Sequence, residues 1–266
     1  PEKLDYGKGY SLVEVQAPYG YVLDSTPVSF DVTEENSTQE GGITLIKVDK
    51  PNMAQKGTIS VEKTGEVFFG VNVSGEEDKD VIYQPVYKVK GLAGAVYEIT
   101  ADEDVITPDG TLRYHKGDVV DTVTTNEDGK AKSKELYLGK YTVVETKAPN
   151  GMVINKEKHS VELTYAGQDV AVTETATSFV NERQKVKISL EKVLEQNETF
   201  GIGKNDKIKN ISFGLYAKED IVSSSGTVIP ADGLIEIITL DENGTATANT
   251  DLPFGSYYIK EIATDE

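Results

Sequence analysis

The chain of 266 residues has no cysteine and no tryptophan, and only two methionines and two histidines. Without cysteine there is no disulfide, no thiolate metal site and no Cys nucleophile. His115 and His159 stand far apart in sequence, and no HExxH, Ser-His-Asp set or phosphate loop occurs. Basic residues are scarce, 27 against 45 acidic, for a net charge of −18. Nucleic acid and anionic membranes are bound by basic patches, so neither is an expected partner, and no run is apolar enough for membrane insertion. The acidic stretch ADEDVITPDG at 101–110 lacks the spacing of a calcium loop. Carboxylate pairs for glycoside hydrolysis could be nominated anywhere among so many acids, so none is singled out. We therefore expect no cofactor, no metal and no enzymatic turnover.

What the chain does have is short alternating runs rich in Val, Ile, Thr and Tyr, such as YTVVET, HSVELTY and LIEIITL, with no long helical periodicity. Turn signals separate them: APYG at 17–20, TPDG at 107–110, NEDGK at 126–130, APNG at 148–151 and DENGT at 241–245. One motif occurs three times, as LDYGKGYSLVE at 4–14, LYLGKYTVVE at 136–145 and LPFGSYYIKE at 252–261. In a strand, alternate residues share a face. Tyr10, Leu12 and Glu14 then lie together, as do Tyr141, Val143 and Glu145, and Tyr257, Ile259 and Glu261. Each copy puts a carboxylate at the end of an apolar face, where it needs a partner.

The same rule finds lysines. Ile59, Val61 and Lys63 share a face, and so do Ile188, Leu190 and Lys192. Asn52 and Asn181 each stand eleven residues before one of these lysines, and Asn181 shares a face with Phe179. Lys63 to Lys192 and Glu14 to Glu145 are both separated by about 130 residues, a period long enough for each unit to bury its own core. GAVYEI at 94–99 matches FGLYAK at 213–218, pairing Tyr97 with Tyr216. The second unit is longer than the third before Tyr97, and the acidic GEEDKD at 75–80 falls in that excess as a solvated loop or hairpin. The order Lys, Glu, Asn divides the chain into the C-terminal part of a first domain (1–55), a complete domain (56–183) and the N-terminal part of a third (184–266).

Leu-x-x-Gly-x-Tyr-x-Val-x-Glu followed by APxG, here EVQAPYGY and ETKAPNGM, with a preceding strand ending in Lys and a later FVN or PN segment, resembles the B-type (Cna-B or SpaA-like) repeats of Gram-positive adhesins and pilins. The resemblance covers the whole chain. It implies an all-β fold of tandem prealbumin-like, inverse-immunoglobulin β-sandwiches. It also implies an intramolecular Lys–Asn isopeptide bond, assisted by the glutamate. Carried over, the complete domain has Lys63, Asn181 and Glu145. The first has Glu14 as assisting acid and Asn52 as acceptor. The third has Lys192 and Glu261. Lys50 and Pro51 precede Asn52 where the second domain has Phe179 and Val180, which leaves Asp49 as an alternative acceptor.

The chemistry fits those residue types. A lysine amine is a nucleophile only when neutral, and burial favours the neutral form. Burial likewise lets Glu145 carry a proton with which to polarise the carboxamide and relay protons to departing ammonia. The expected role is a stalk segment of an extracellular protein, cell-wall attached or secreted, and a monomer in solution. Short links at 52–57 and 181–185 lead us to expect restricted bending between domains. The alternative is a module that binds a host or extracellular-matrix protein or carbohydrate. A carbohydrate-active enzyme with these domains as spacers would need a catalytic domain elsewhere.

Overall fold

The computed structural model describes residues 4–35, 37–40, 43–75, 81–193, 199 and 211–262. It is all-β, with no α-helix among the described residues. Among those residues no helix is long and apolar enough to cross a membrane. By contacts the chain divides into two compact units. One comprises 1–63, 92–149 and 154–179; the other comprises 64–91, 150–153 and 180–266.

In the first unit, a four-stranded antiparallel sheet runs in the order Val119–Thr124, Val96–Ala101, Gly139–Lys147, Lys158–Leu163. The opposing layer is built on the lysine strand Lys56–Ser74. Lys130–Lys132, Leu136–Tyr137 and the asparagine strand Val172–Asn181 all pair with it. Alternation fills the space between. Ile59 and Val61 come from one layer and Tyr97, Ile99, Tyr141 and Val143 from the other, with Phe179 joining from the asparagine strand. Each is buried. At roughly 25 cal/mol per Å2 of apolar area removed from water, this core is the main favourable term for the domain.

The threefold motif has a structural reason at each position. The tyrosine hydroxyl turns back to a main-chain carbonyl: Tyr141 to Tyr137, Tyr257 to Pro253 and Tyr10 to Asp5. The glycine lies under a buried aliphatic side chain. A Cβ on Gly139 would stand 3.0 Å from Val105, and one on Gly255 would stand 2.6 Å from Ile221. In the first copy an extra residue, Gly9, separates glycine from tyrosine. It adopts φ 78° and is absorbed as a bulge between Gly7 and Tyr10.

The region before the complete domain is a set of short antiparallel pairs, Gly7–Leu12 with Val28–Val32 and Tyr21–Val22 with Met53–Ala54. Its expected apolar face is only partly formed. Tyr10 is half-buried against Phe30, while Leu12 is exposed, since no second sheet covers it among the described residues. The junction with the following domain is packed. The Gln55 side chain is buried, donates to the carbonyls of Gly167 and Val170, and accepts from the Ala166 N–H.

In the second unit, Ser212–Ala217 lies between Leu234–Thr239 and Tyr257–Ile262, and Ser189–Glu191 pairs with Thr245–Thr247. The excess before Tyr97 belongs here. It forms a long hairpin, the second half of Lys56–Ser74 against Ile82–Gly91. The strands that flank the acidic stretch are packed. Phe68, Val71 and Tyr83 pack on the core of Leu215, Ile229 and Ile235, and Ile82 pairs in parallel with Leu234. Residues 76–80 of the acidic stretch lie outside the described residues.

Candidate functional site

Lys63 continues the buried face of its strand beyond Ile59 and Val61. Its main-chain N–H donates to the carbonyl of Gly129, the glycine of the NEDGK turn, and its carbonyl accepts from Leu92. Asn126 sets that turn by accepting from the N–H groups of Asp128 and Lys130. The side chain is 0% exposed, and the ring centroids of Tyr97 and Phe179, which pack against each other, lie 5.9 and 5.7 Å from Nζ. Glu145, 2% exposed, meets it with Oε1 at 3.2 Å from Nζ. The other carboxylate oxygen accepts from the Asn155 N–H at 2.7 Å. Asn181, also 2% exposed, ends the strand that pairs with the lysine strand, two residues beyond Phe179 and on the same face.

Burial holds the Lys63 pKa below its ordinary 10.5, against the pull of the Glu145 hydrogen bond and charge. The cationic form is thus disfavoured inside the core, as nucleophilic chemistry at Nζ requires. Tyr97 stands directly opposite Glu145 across the two strands. Burial, then the Glu145 charge, raises its phenol pKa above the usual 10.0. The hydroxyl is buried beside that carboxylate, close enough for a weak hydrogen bond to Glu145 to add to the rise, but it makes no hydrogen bond of full geometry. His159 stacks on the far side of Phe179 at 3.9 Å, held by Thr177.

The first-domain residues also come together. Asn52 Nδ2 donates to Glu14 at 2.7 Å and to the Val22 carbonyl at 3.1 Å. The same Glu14 oxygen accepts from the Asp24 N–H, ten residues on, as Glu145 accepts from Asn155 ten residues on. Asp49 points elsewhere, to Lys47 at 3.4 Å in an exposed pair. Lys50 is engaged with Asp24 and the Thr26 carbonyl, and its hydrogen bond is the main cause holding the Asp24 pKa at about 2.

In the third copy Lys192 Nζ lies 2.7 Å from Glu261, with both side chains partly exposed. Lys192 N–H donates to Gly244 of the DENGT turn, repeating the Lys63–Gly129 bond. The ring 5.9 Å from Lys192 Nζ is Phe213, which stands opposite Glu261. The structural counterpart of Tyr97 is therefore Phe213. Tyr216, which the sequence pairs with Tyr97, faces away from the core and stacks on Tyr258. Matching residue types misplaced the register by three; only the strand pairing with the glutamate fixes it. The main-chain donors of Asp24 and Asn155 were not anticipated either, since no side-chain pattern marks them.

Among the described residues no group of His, Asp and Glu side chains is clustered to hold a metal ion. The family model for the SpaA prealbumin-like fold domain matches residues 1–47 and 86–177. The trypsin-resistant surface T6 protein of Streptococcus pyogenes serotype M6 is 29% identical over 162 residues, 55% of this chain and 29% of that protein. The Bacillus anthracis TIE protein superposes with a TM-score of 0.52 at 24% identity, over 96% of this chain and 36% of that one. A streptococcal ancillary pilin gives a TM-score of 0.33 at 17% identity, over 98% of this chain and 67% of its own. The chain thus spans about a third of the surface T6 and TIE proteins it resembles.

Proposed function

Since the chain belongs to the family of SpaA prealbumin-like fold domains, we propose that it is a stalk segment of a Gram-positive surface protein and that its complete domain crosslinks itself. The observation that carries this is that Lys63, Glu145 and Asn181 are each buried, with the lysine amine against the carboxylate and Asn181 at the end of a strand paired with the lysine strand. Surface location is read from the relatives, which are surface proteins and pilins.

In the proposed reaction, Lys63 passes a proton to Glu145 and attacks Cγ of Asn181 as the free amine. The Nζ–Cγ bond forms and the Cγ–Nδ2 bond breaks. Glu145 relays one proton from the attacking amine to the departing nitrogen and then gives up the proton it took from Lys63, so the nitrogen leaves as ammonium and Glu145 returns to the carboxylate. The fold supplies the proximity that makes a carboxamide reactive. The event happens once per molecule and consumes the nucleophile, so it is not turnover.

Intact-mass measurement is the test. The folded chain should weigh one ammonia less than its sequence, and a tryptic digest should contain a branched peptide joining Lys63 to Asn181. Glu145→Ala should fold and keep the full mass. Asn181→Ala, which retains the lysine–glutamate pair, should lose about 5 kcal/mol on the chain-entropy model for a closed loop of this size. An unmodified mass on folded wild-type protein would sink the reading.

A further inference from the structure

We propose that the Tyr97 hydroxyl is a positioning group for the crosslinking reaction, holding Glu145 in place once Lys63 no longer carries a charge. The proposal rests on the self-crosslinking function above.

Glu145 begins with a cation 3.2 Å from Oε1. As Lys63 becomes an amide nitrogen, that cation disappears. A carboxylate left in a dry core without it is costly, and it would drag its side chain toward any other donor. The Asn155 N–H holds Oε2 and is fixed by the backbone. Tyr97 is placed to serve the rest of the carboxylate. It stands opposite Glu145 in register, is fully buried, packs at a tilt against Phe179, and carries a hydroxyl that makes no hydrogen bond of full geometry.

An unpaired buried hydroxyl is destabilising by about 1–3 kcal/mol. Phenylalanine would fill the same space without that penalty, and Phe213 does so beside Lys192 and Glu261. The hydroxyl is therefore of no use to packing in the resting site. It gains a partner when the ion pair dissolves and the carboxylate turns to it. Tyr97 touches neither bond that forms nor bond that breaks. It acts through Glu145.

The experiment follows crosslinking from the unfolded chain. Protein isolated in denaturant before it has reacted is refolded, and loss of ammonia is timed by intact mass. Tyr97→Phe should reach the same final extent as wild type about ten- to a hundredfold more slowly, the rate equivalent of one hydrogen bond to a charged group. Tyr97→Phe is also placed in a Lys63→Ala background, where no crosslink forms. There it should be no less stable to denaturant than Lys63→Ala alone. A wild-type rate in Tyr97→Phe overturns the proposal. So does a loss of stability in the uncrosslinked background, which makes the hydroxyl structural. If wild type itself never loses ammonia, the crosslinking function fails first, and the two failures are told apart by that control.

Discussion

Lys63 is held between two opposing forces, and their balance can be measured. Desolvation favours the neutral amine, and Glu145 favours the ammonium; desolvation dominates, so the pKa falls below 10.5. In an Asn181→Ala chain the amine survives and titrates. Between its native pKa and about 10.4, the unfolded chain binds more protons at this residue than the native chain does. Stability contributed by Lys63 therefore rises with pH through that window, by at most about 1.4 kcal/mol per pH unit. Buried phenols have the opposite sign: Tyr257 is pushed up to about 12 by burial, so its contribution falls above pH 10. Comparing Asn181→Ala with Asn181→Ala/Lys63→Met by denaturant titration from pH 8 to 10 cancels those terms. The gap should move in favour of the lysine chain as pH rises. A constant gap would mean that Lys63 stays charged in the core. The lysine, glutamate and asparagine were legible in the sequence because alternation leaves a polar residue at the end of an apolar face. The distinction between Tyr97 and Phe213 was not, because it depends on which residue lies across from the glutamate in the neighbouring strand.

At the scale of elements, the APxG turn serves as a joint. The N–H of Gln55 donates to the carbonyl of Gly20, and the N–H of Gln184 donates to the carbonyl of Gly151, both at 2.8 Å. Each glycine has positive φ, 84° and 77°, and each lies against a residue far along the chain. A Cβ would stand 2.5 Å from Pro108 Cγ at Gly20, and 2.5 Å from Phe254 Cε2 at Gly151. The two should differ in tolerance. Pro108 is a rigid ring, whereas Phe254 is an exposed side chain that can swing away. Gly20→Ala should lose about 2–4 kcal/mol, left-handed strain plus overpacking, and Gly151→Ala about 1–2 kcal/mol, mainly strain. Thermal and denaturant unfolding of both variants would decide, and equal losses would contradict the argument. The turns themselves were readable as APYG and APNG. Their role as joints was not, since it rests on main-chain bonds to residues more than thirty positions away.

At the scale of the whole chain, the sequence period and the packing draw different boundaries. The period assigns 56–183 to one domain. Contacts assign 64–91 to the unit that contains 180–266. The reason is visible in the hairpin's side chains. Phe68, Val71 and Tyr83 pack against the core of that unit, Arg183 lies over the Tyr87 ring and pairs with Asp251, and the Tyr87 hydroxyl donates to the Asp251 carbonyl. A sequence insertion thus supplies strands whose side chains pack on the core that contains Ile229 and Ile235. A chain ending at residue 183 should crosslink, because Lys63, Glu145 and Asn181 are all present. It should also aggregate and bind hydrophobic dye, because the inner face of the hairpin loses its cover. Gly65 and Lys90 pair across the hairpin, so joining them through a two-residue Asn-Gly turn removes the uncovered face while keeping Lys63 in its strand. That shortened chain should be monodisperse and still lose ammonia. If the unshortened 1–183 chain is monodisperse, with 64–91 resistant to protease, then the hairpin folds without the third domain and the boundary belongs where the sequence period puts it.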